Sequence, residues 1–331
     1  MFNVCLTGPG YTPEHIRQLE KQGCIVTWYS EPLSEQDLQT ILPHMDAYVL
    51  GGDERLTAPL LAVATRLRLI SFVGTGYTSF IDVQAAQNRA ISIRSTPGVN
   101  APAVAEHTIG LLLGLQRKLF QHHACIKQDQ RYTESTHELS SKCIGIIGLG
   151  DIGSRIARIL RLAFNSRVLY TSRTPKPQLE EELNITSVTQ DTLLAQAEII
   201  ILALPTDTET EYFLHDEQLA KTKAGVIIIN TAGARLIEPQ ALKKYLDQQH
   251  IAAAAFDGYY IEPLPKRADD PFHLLGYANE RFIVTPHVAA KTQQSWSRML
   301  DQSIENVIQF LREKDGRDPI SEHKHPQEER V

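Results

Sequence analysis

The chain has little cysteine, little tryptophan and no long apolar run. Only four of its 331 residues are cysteine (Cys5, Cys24, Cys125, Cys143), and no two form a CxxC pair. That scatter argues against a zinc ribbon, a redox dithiol or a disulfide scaffold, so buried thiols and no metal centre are expected. No hydrophobic stretch reaches the length of a bilayer span. The start, Met1-Phe2-Asn3-Val4-Cys5-Leu6-Thr7, lacks the basic flank and long apolar core of a secretory signal. A soluble, cytoplasmic protein is the expectation. A net charge of -6 leaves no excess of cations for a general nucleic-acid surface, which phosphate neutralisation would need.

What is present is ordinary for a globular protein: 42% hydrophobic and 22% charged residues, in a chain long enough for two cores. Short apolar strands are expected at Phe2 to Leu6, Cys24 to Trp28, Ala47 to Leu50, Leu69 to Val73 and Ile91 to Arg94. Helical spacing lies between them, as at Pro13 to Gln22 and Ala58 to Thr65. A second alternating series has strands at Cys143 to Ile147, Val168 to Thr171, Ile199 to Ala203, Val226 to Asn230, Ala252 to Phe256 and Phe282 to Thr285. Such alternation predicts parallel sheets covered by helices. Ala101 to Phe120 reads as one long buried helix, in which Gly110 and Gly114 would let another helix approach closely, within the chain or from a second copy. A last helix is expected at about Ser295 to Leu311, with a polar, mobile tail from Arg312 to Val331.

The strand Cys143 to Ile147 runs into Gly148-Leu149-Gly150-Asp151-Ile152-Gly153, a GxGxxG turn that opens an amphipathic helix. Gly148 suits a tight turn, Gly150 lets backbone approach a pyrophosphate, and Gly153 allows helix and strand to pack closely. The helix N-terminus adds unpaired amides and a positive dipole end. A dinucleotide cofactor is therefore expected. NAD enzymes place a carboxylate at the end of the next strand, where it accepts from the ribose hydroxyls. Here that strand ends in Ser172-Arg173-Thr174, with Lys176 nearby and no acid between Asp151 and Glu180. These residues suit a 2′-phosphate, so NADP is preferred over NAD.

With these motifs in place, the chain resembles the D-isomer-specific 2-hydroxyacid dehydrogenases over nearly its whole length. Gly74-Thr75-Gly76-Tyr77, Thr96-Pro97-Gly98-Val99-Asn100, Val104-Ala105-Glu106-His107-Thr108, Leu204-Pro205 through Thr210, Ile229-Asn230-Thr231-Ala232, Ala255-Phe256-Asp257, Glu262-Pro263-Leu264-Pro265 and Thr285-Pro286-His287 follow in family order. The cofactor region is most similar to the NADP-using glyoxylate and hydroxypyruvate reductases. The resemblance implies an α/β protein of two Rossmann-like domains, flavodoxin-like plus dinucleotide-binding, with a cleft between them. Residues 1–100 and 291–331 would form the substrate domain and 101–290 the dinucleotide-binding domain, in a homodimer. It implies that His287 is the proton donor and Glu262 its partner. It also implies cofactor contacts from Pro205, Thr210, Ala232 and Asp257 and substrate contacts from Thr75 and Gly76.

One element of the family pattern is missing. Where the family reads Asn-Thr-Ala-Arg-Gly, with the arginine gripping the substrate's carbonyl and carboxylate, this chain reads Asn230-Thr231-Ala232-Gly233-Ala234. Arg235 is the nearest substitute, but in an extended segment its backbone would begin ~6–7 Å further along. Asp257-Gly258 also replaces the usual Asp-Val, which adds room near the nicotinamide end. Three functions follow. The chain is an NADP-dependent 2-keto-acid reductase, an oxidoreductase for a ketone or imine lacking the carboxylate, or a dinucleotide-binding, corepressor-like module.

Overall fold

A computed structural model describes residues 1–130 and 134–314. The chain is an α/β protein that divides into two units, Met1–Asn100 with the stretch from Gln293, and Ala101–Thr292.

The first unit is built on five strands, β1 (Phe2–Thr7), β2 (Cys24–Tyr29), β3 (Ala47–Leu50), β4 (Leu69–Phe72) and β5 (Ser92–Arg94). They run parallel in the order β2-β1-β3-β4-β5. Every residue of β3 and β4 is buried, as in a strand covered on both faces. Tyr48, Leu50, Ile70 and Phe72 face one apolar layer. Val49 and Leu69 face the other, where Leu300, Ile304 and Val307 of the helix Gln293–Lys314 cover them. That helix is longer than its apolar spacing suggested. Arg312 and Glu313 belong to it, Glu313 being held by Arg94 at 2.5 Å. The rest of the expected polar tail lies outside the described residues.

The second unit carries seven parallel strands: β6 (Cys143–Ile147), β7 (Arg167–Thr171), β8 (Thr186–Ser187), β9 (Ile199–Leu202), β10 (Val226–Asn230), β11 (Ile251–Asp257) and β12 (Phe282–Thr285). Their order is β12-β11-β10-β9-β6-β7-β8. From β6 the chain builds outward through β7 and β8, then returns to the other side of β6 at β9. The switch point, where such sheets bind ligands beyond their strand ends, therefore lies between β6 and β9. Side chains alternate across the sheet: Ile199 and Ile201 join one core, Ile200 and Leu202 the other. Gly145 is small because a Cβ there would meet Leu193 Cδ2 at 2.5 Å.

The single helix expected over Ala101 to Phe120 is two. Ala101–Gln116 ends at a left-handed Lys118 (φ 49°), and Leu119–Lys127 begins a second. The break turns Phe120 back onto Gly114, where a Cβ would lie 2.5 Å from its ring, while Gly110 faces open space. Gly114 thus serves the chain's own packing. Among the described residues no helix is long and apolar enough to cross a membrane.

Candidate active site

At the switch point one glycine, Gly148, holds a conformation that favours glycine, and Gly153 is small for close packing. Gly148 (φ 97°) donates its amide to Thr171 O at 2.9 Å, and a Cβ on it would strike Ala203 O at 2.5 Å. A Cβ on Gly153 would lie 2.1 Å from Gly148 O, which is how closely the helix Asp151–Leu162 packs on the turn. Gly150, the residue before this helix, is exposed, with nothing within 4 Å of its Cβ position. No side chain caps the helix. The first intrahelical amide bond is Ser154 N to Gly150 O at 2.9 Å, so the amides of Asp151, Ile152 and Gly153 point onward unpaired by the helix. Asp151 is exposed and Ile152 half-buried; Leu149 is buried in the core, leaving its backbone for any ligand.

At the end of β7, Ser172 is half-buried and Arg173 and Thr174 are exposed. The first acid downstream, Glu180, is occupied. It accepts the Tyr170 hydroxyl at 2.6 Å, and Tyr170 in turn accepts the Lys176 amide at 2.9 Å. Arg173 forms no ion pair with a described residue. It lies near Asp207, whose carboxyl sits below its ordinary range. Desolvation pushes that carboxyl up, but the Thr210 hydroxyl, the amides of Thr210 and Glu209, and Arg173 outweigh it.

Two loops follow β9 and β10. In the first, Thr210 donates its hydroxyl to Pro205 O at 2.8 Å and closes a turn with Asp207. In the second, Asn230 accepts the amides of Ala232 and Gly233, both at 3.2 Å, and donates to Gly233 O at 2.8 Å. Thr206 ties the loops together by donating to Ala232 O at 3.1 Å. Gly233 sits at φ 152°, and a Cβ there would lie 2.3 Å from Thr206 Oγ1. Arg235 lies in a single helical turn, Ala234–Leu236, and its exposed guanidinium pairs with Glu211 at 3.1 Å.

Beyond β11 and β12 the structure brings His287 and Glu262 together. His287 Nδ1 lies 3.1 Å from both carboxylate oxygens of Glu262. That contact fixes the tautomer: Nδ1–H faces the carboxylate and Nε2 is left for chemistry. The hydrogen bond to Glu262 holds the His287 pKa above its ordinary value; desolvation and Lys291 work against this, and the charges of Glu262 and Asp257 assist it. The bond from His287 likewise lowers Glu262, assisted by the His287 charge, the Tyr259 amide and Lys291 against desolvation.

The loop carrying His287 is held from below. Asp257 is buried and accepts Val288 N at 2.8 Å, Ala289 N at 2.7 Å and the Thr285 hydroxyl at 2.6 Å. Expected at the cofactor, Asp257 has its carboxylate occupied in anchoring this loop. Since Thr285 gives its proton to Asp257, the 3.0 Å contact from His107 Nε2 must be a donation to Thr285 Oγ1. His287 itself sits at φ 53°, uncommon for a side chain of its size. Gly258 corrects one expectation. The room left by its missing side chain is filled, because a Cβ would lie 2.7 Å from Glu262 Oε1 and 3.5 Å from His287 Nδ1.

Thr75 and Gly76 belong to the first unit and are exposed in the loop after β4. Gly74 is braced there by the Thr96 hydroxyl at 3.0 Å. Lys291 stands in no motif of the sequence, and Thr206 and His107 are marked there only by their places in motifs.

The profile of the D-isomer specific 2-hydroxyacid dehydrogenase NAD binding domain matches residues 109–289. A hydroxypyruvate reductase of Thermotoga maritima is 30% identical over 285 residues, 85% of this chain and 90% of the relative. A glyoxylate reductase of Aeropyrum pernix is 32% identical over 313 residues, 91% of each. Among solved structures, an acyclic imino acid reductase in complex with NADPH and D-Arg superposes with a TM-score of 0.80 at 25% identity, covering 95% of this chain and 98% of that one.

Proposed function

The chain belongs to the D-isomer-specific 2-hydroxyacid dehydrogenase family, and on that footing we propose that it is an NADP-dependent reductase of a 2-oxo acid or a closely related carbonyl. The observation that carries this reading is the His287–Glu262 pair, an oriented acid of raised pKa within the unit that holds the dinucleotide turn. Reduced nicotinamide, when bound, supplies the hydride to the carbonyl carbon. His287 gives the Nε2 proton to the carbonyl oxygen, and Glu262 holds the ring and stabilises its charged form before transfer. The unpaired amides at Asp151 to Gly153 would take the pyrophosphate.

The NADP preference rests on Ser172, Arg173 and Thr174 at the end of β7, and on Glu180 being turned to Tyr170. Fluorescence titration should give tighter binding of NADPH than NADH. Arg173→Ala should cost NADPH about 1–3 kcal/mol and leave NADH nearly unchanged. Equal binding of the two cofactors by the unaltered protein rejects the preference. Turnover of glyoxylate and hydroxypyruvate is the test of substrate class, since relatives are named for both.

A second reading, reduction of a ketone or imine without a carboxylate, draws on Gly233, which offers no cation, and on the imino acid reductase likeness. An amine-plus-oxo-acid mixture turned over faster than the oxo acid alone would favour it. The protein is further proposed to form a homodimer. Leu119 and Ile126, on one side of the helix Leu119–Lys127, are exposed to 53% and 69% and form an apolar face that a second copy would cover. A monomer at micromolar concentration in light scattering rejects this.

A further inference from the structure

A 2-oxo acid needs a cation beside the proton donor. Its carboxylate is bonded directly to the carbonyl carbon, so a group that grips it must lie within a few ångströms of the carbonyl oxygen that His287 protonates. The side chains named above do not supply one: Gly233 has no side chain, and the guanidinium of Arg235 is paired with Glu211 at 3.1 Å. We propose that Lys291 is the residue that binds the substrate's carboxylate in this protein, a role that rests on the reductase reading given above.

Four observations place it there. Lys291 is on the same loop as His287, four residues on. Its backbone is fixed relative to His287, because Asp257 holds the amides of Val288 and Ala289 at 2.8 and 2.7 Å and the Lys291 amide donates to Val288 O at 2.8 Å. Its side chain is exposed and forms no ion pair with a described residue. Its charge also registers on both members of the acid pair, lowering His287 and lowering Glu262. An unpaired ammonium near the proton donor is what an anionic substrate requires. Lysine on its flexible stem acts as a point charge where guanidinium would act as a fork. The carboxylate would thus be attracted strongly but oriented less tightly, and small 2-oxo acids of different length should be accepted with similar affinity.

The test uses the full chain with Lys291→Met, which keeps the length of the side chain and removes its charge, and with Lys291→Arg. With NADPH bound, oxamate, an unreactive anion shaped like a 2-oxo acid, is titrated by fluorescence, and glyoxylate kinetics are measured alongside. Loss of one charge-assisted contact should weaken oxamate and raise the glyoxylate KM by about 10- to 100-fold in Lys291→Met. Lys291→Arg should restore most of both. NADPH affinity should not change, and the KM for methyl glyoxylate, an uncharged ester, should rise far less in Lys291→Met than the KM for glyoxylate. Oxamate affinity within twofold of the unaltered protein in Lys291→Met overturns the assignment. If no oxo acid is turned over, the reductase reading fails, and oxamate binding alone still decides whether Lys291 holds an anion.

Discussion

Replacing Gly258 with alanine should detach His287, the proposed proton donor, from Glu262 while leaving the Gly148–Gly153 turn intact. The glycine is at φ 87°, where an L-residue costs roughly 1–2 kcal/mol. Its new Cβ would lie 2.7 Å from Glu262 Oε1, inside any real contact, and 3.5 Å from His287 Nδ1. Of these neighbours the carboxylate, at the end of a flexible side chain, gives way more easily. Moving it breaks the 3.1 Å contacts with His287 and the 3.2 Å bond from the Tyr259 amide. Both members of the pair are solvent-accessible, their side chains 68% and 43% exposed, so the lost ion pair itself should cost at most about 1 kcal/mol of stability.

The larger effect is on chemistry. Glu262 raises the His287 pKa, and in the reaction proposed above the protonated ring is the active form. Without Glu262 the pKa falls back towards its ordinary value, so the alkaline limb of the kcat/KM profile for glyoxylate moves to lower pH. At neutral pH a pKa near 6.5 leaves about a quarter of the rings protonated, a loss of about fourfold, and the ring's lost orientation brings the drop to about 10- to 100-fold, less than complete loss of a general acid. Profiles of kcat/KM against pH for the two proteins, with NADPH affinity as control, measure this. Superimposable profiles with unchanged rates would mean that the alanine leaves His287 and Glu262 joined.

His287→Ala should lower reduction about 10²–10⁴-fold with NADPH affinity retained, and an undiminished rate rejects the acid assignment. In the unaltered protein the rate of reduction should fall as pH rises through the raised His287 pKa. The pair's contribution to stability should follow the same course, complete below the unfolded value near 6.5 and lost as pH passes the folded one. Gly233→Arg alone should not improve glyoxylate turnover, because its Cβ would lie 2.3 Å from Thr206 Oγ1. Paired with Thr206→Gly, which removes that obstacle, it should raise kcat/KM. A gain from the single substitution shows that the loop and Thr206 yield to the new side chain.

The parts of this site that were legible in the sequence are those written in consecutive residues. A strand, a GxGxxG turn and an amphipathic helix are local, and β6, the turn and the helix Asp151–Leu162 lie where the spacing puts them. His287 and Glu262 were picked out by motif order, and the fold brings them to 3.1 Å. What was not legible depends on contacts between distant segments. The helix break at Lys118 accompanies the fold of Phe120 onto Gly114, which apolar periodicity does not report. Gly258 read as extra space because the occupant, Glu262, arrives through a turn whose path the sequence does not give. Arg235 stood as the nearest candidate cation beside its reading as a surface residue, because Glu211 is 24 residues away and becomes its partner only when two loops meet.

Asn230 has a consequence for how this protein can change. Its side chain binds the backbone of residues 232 and 233, so the shape of that loop depends on position 230 and on amides that every residue but proline carries. Residue 232 can therefore change its side chain at little cost to the shape of the loop, whereas residue 233, at φ 152° and with Thr206 Oγ1 2.3 Å from its Cβ position, is held to glycine. Substrate choice can drift at such a loop while the scaffold that delivers the hydride stays the same.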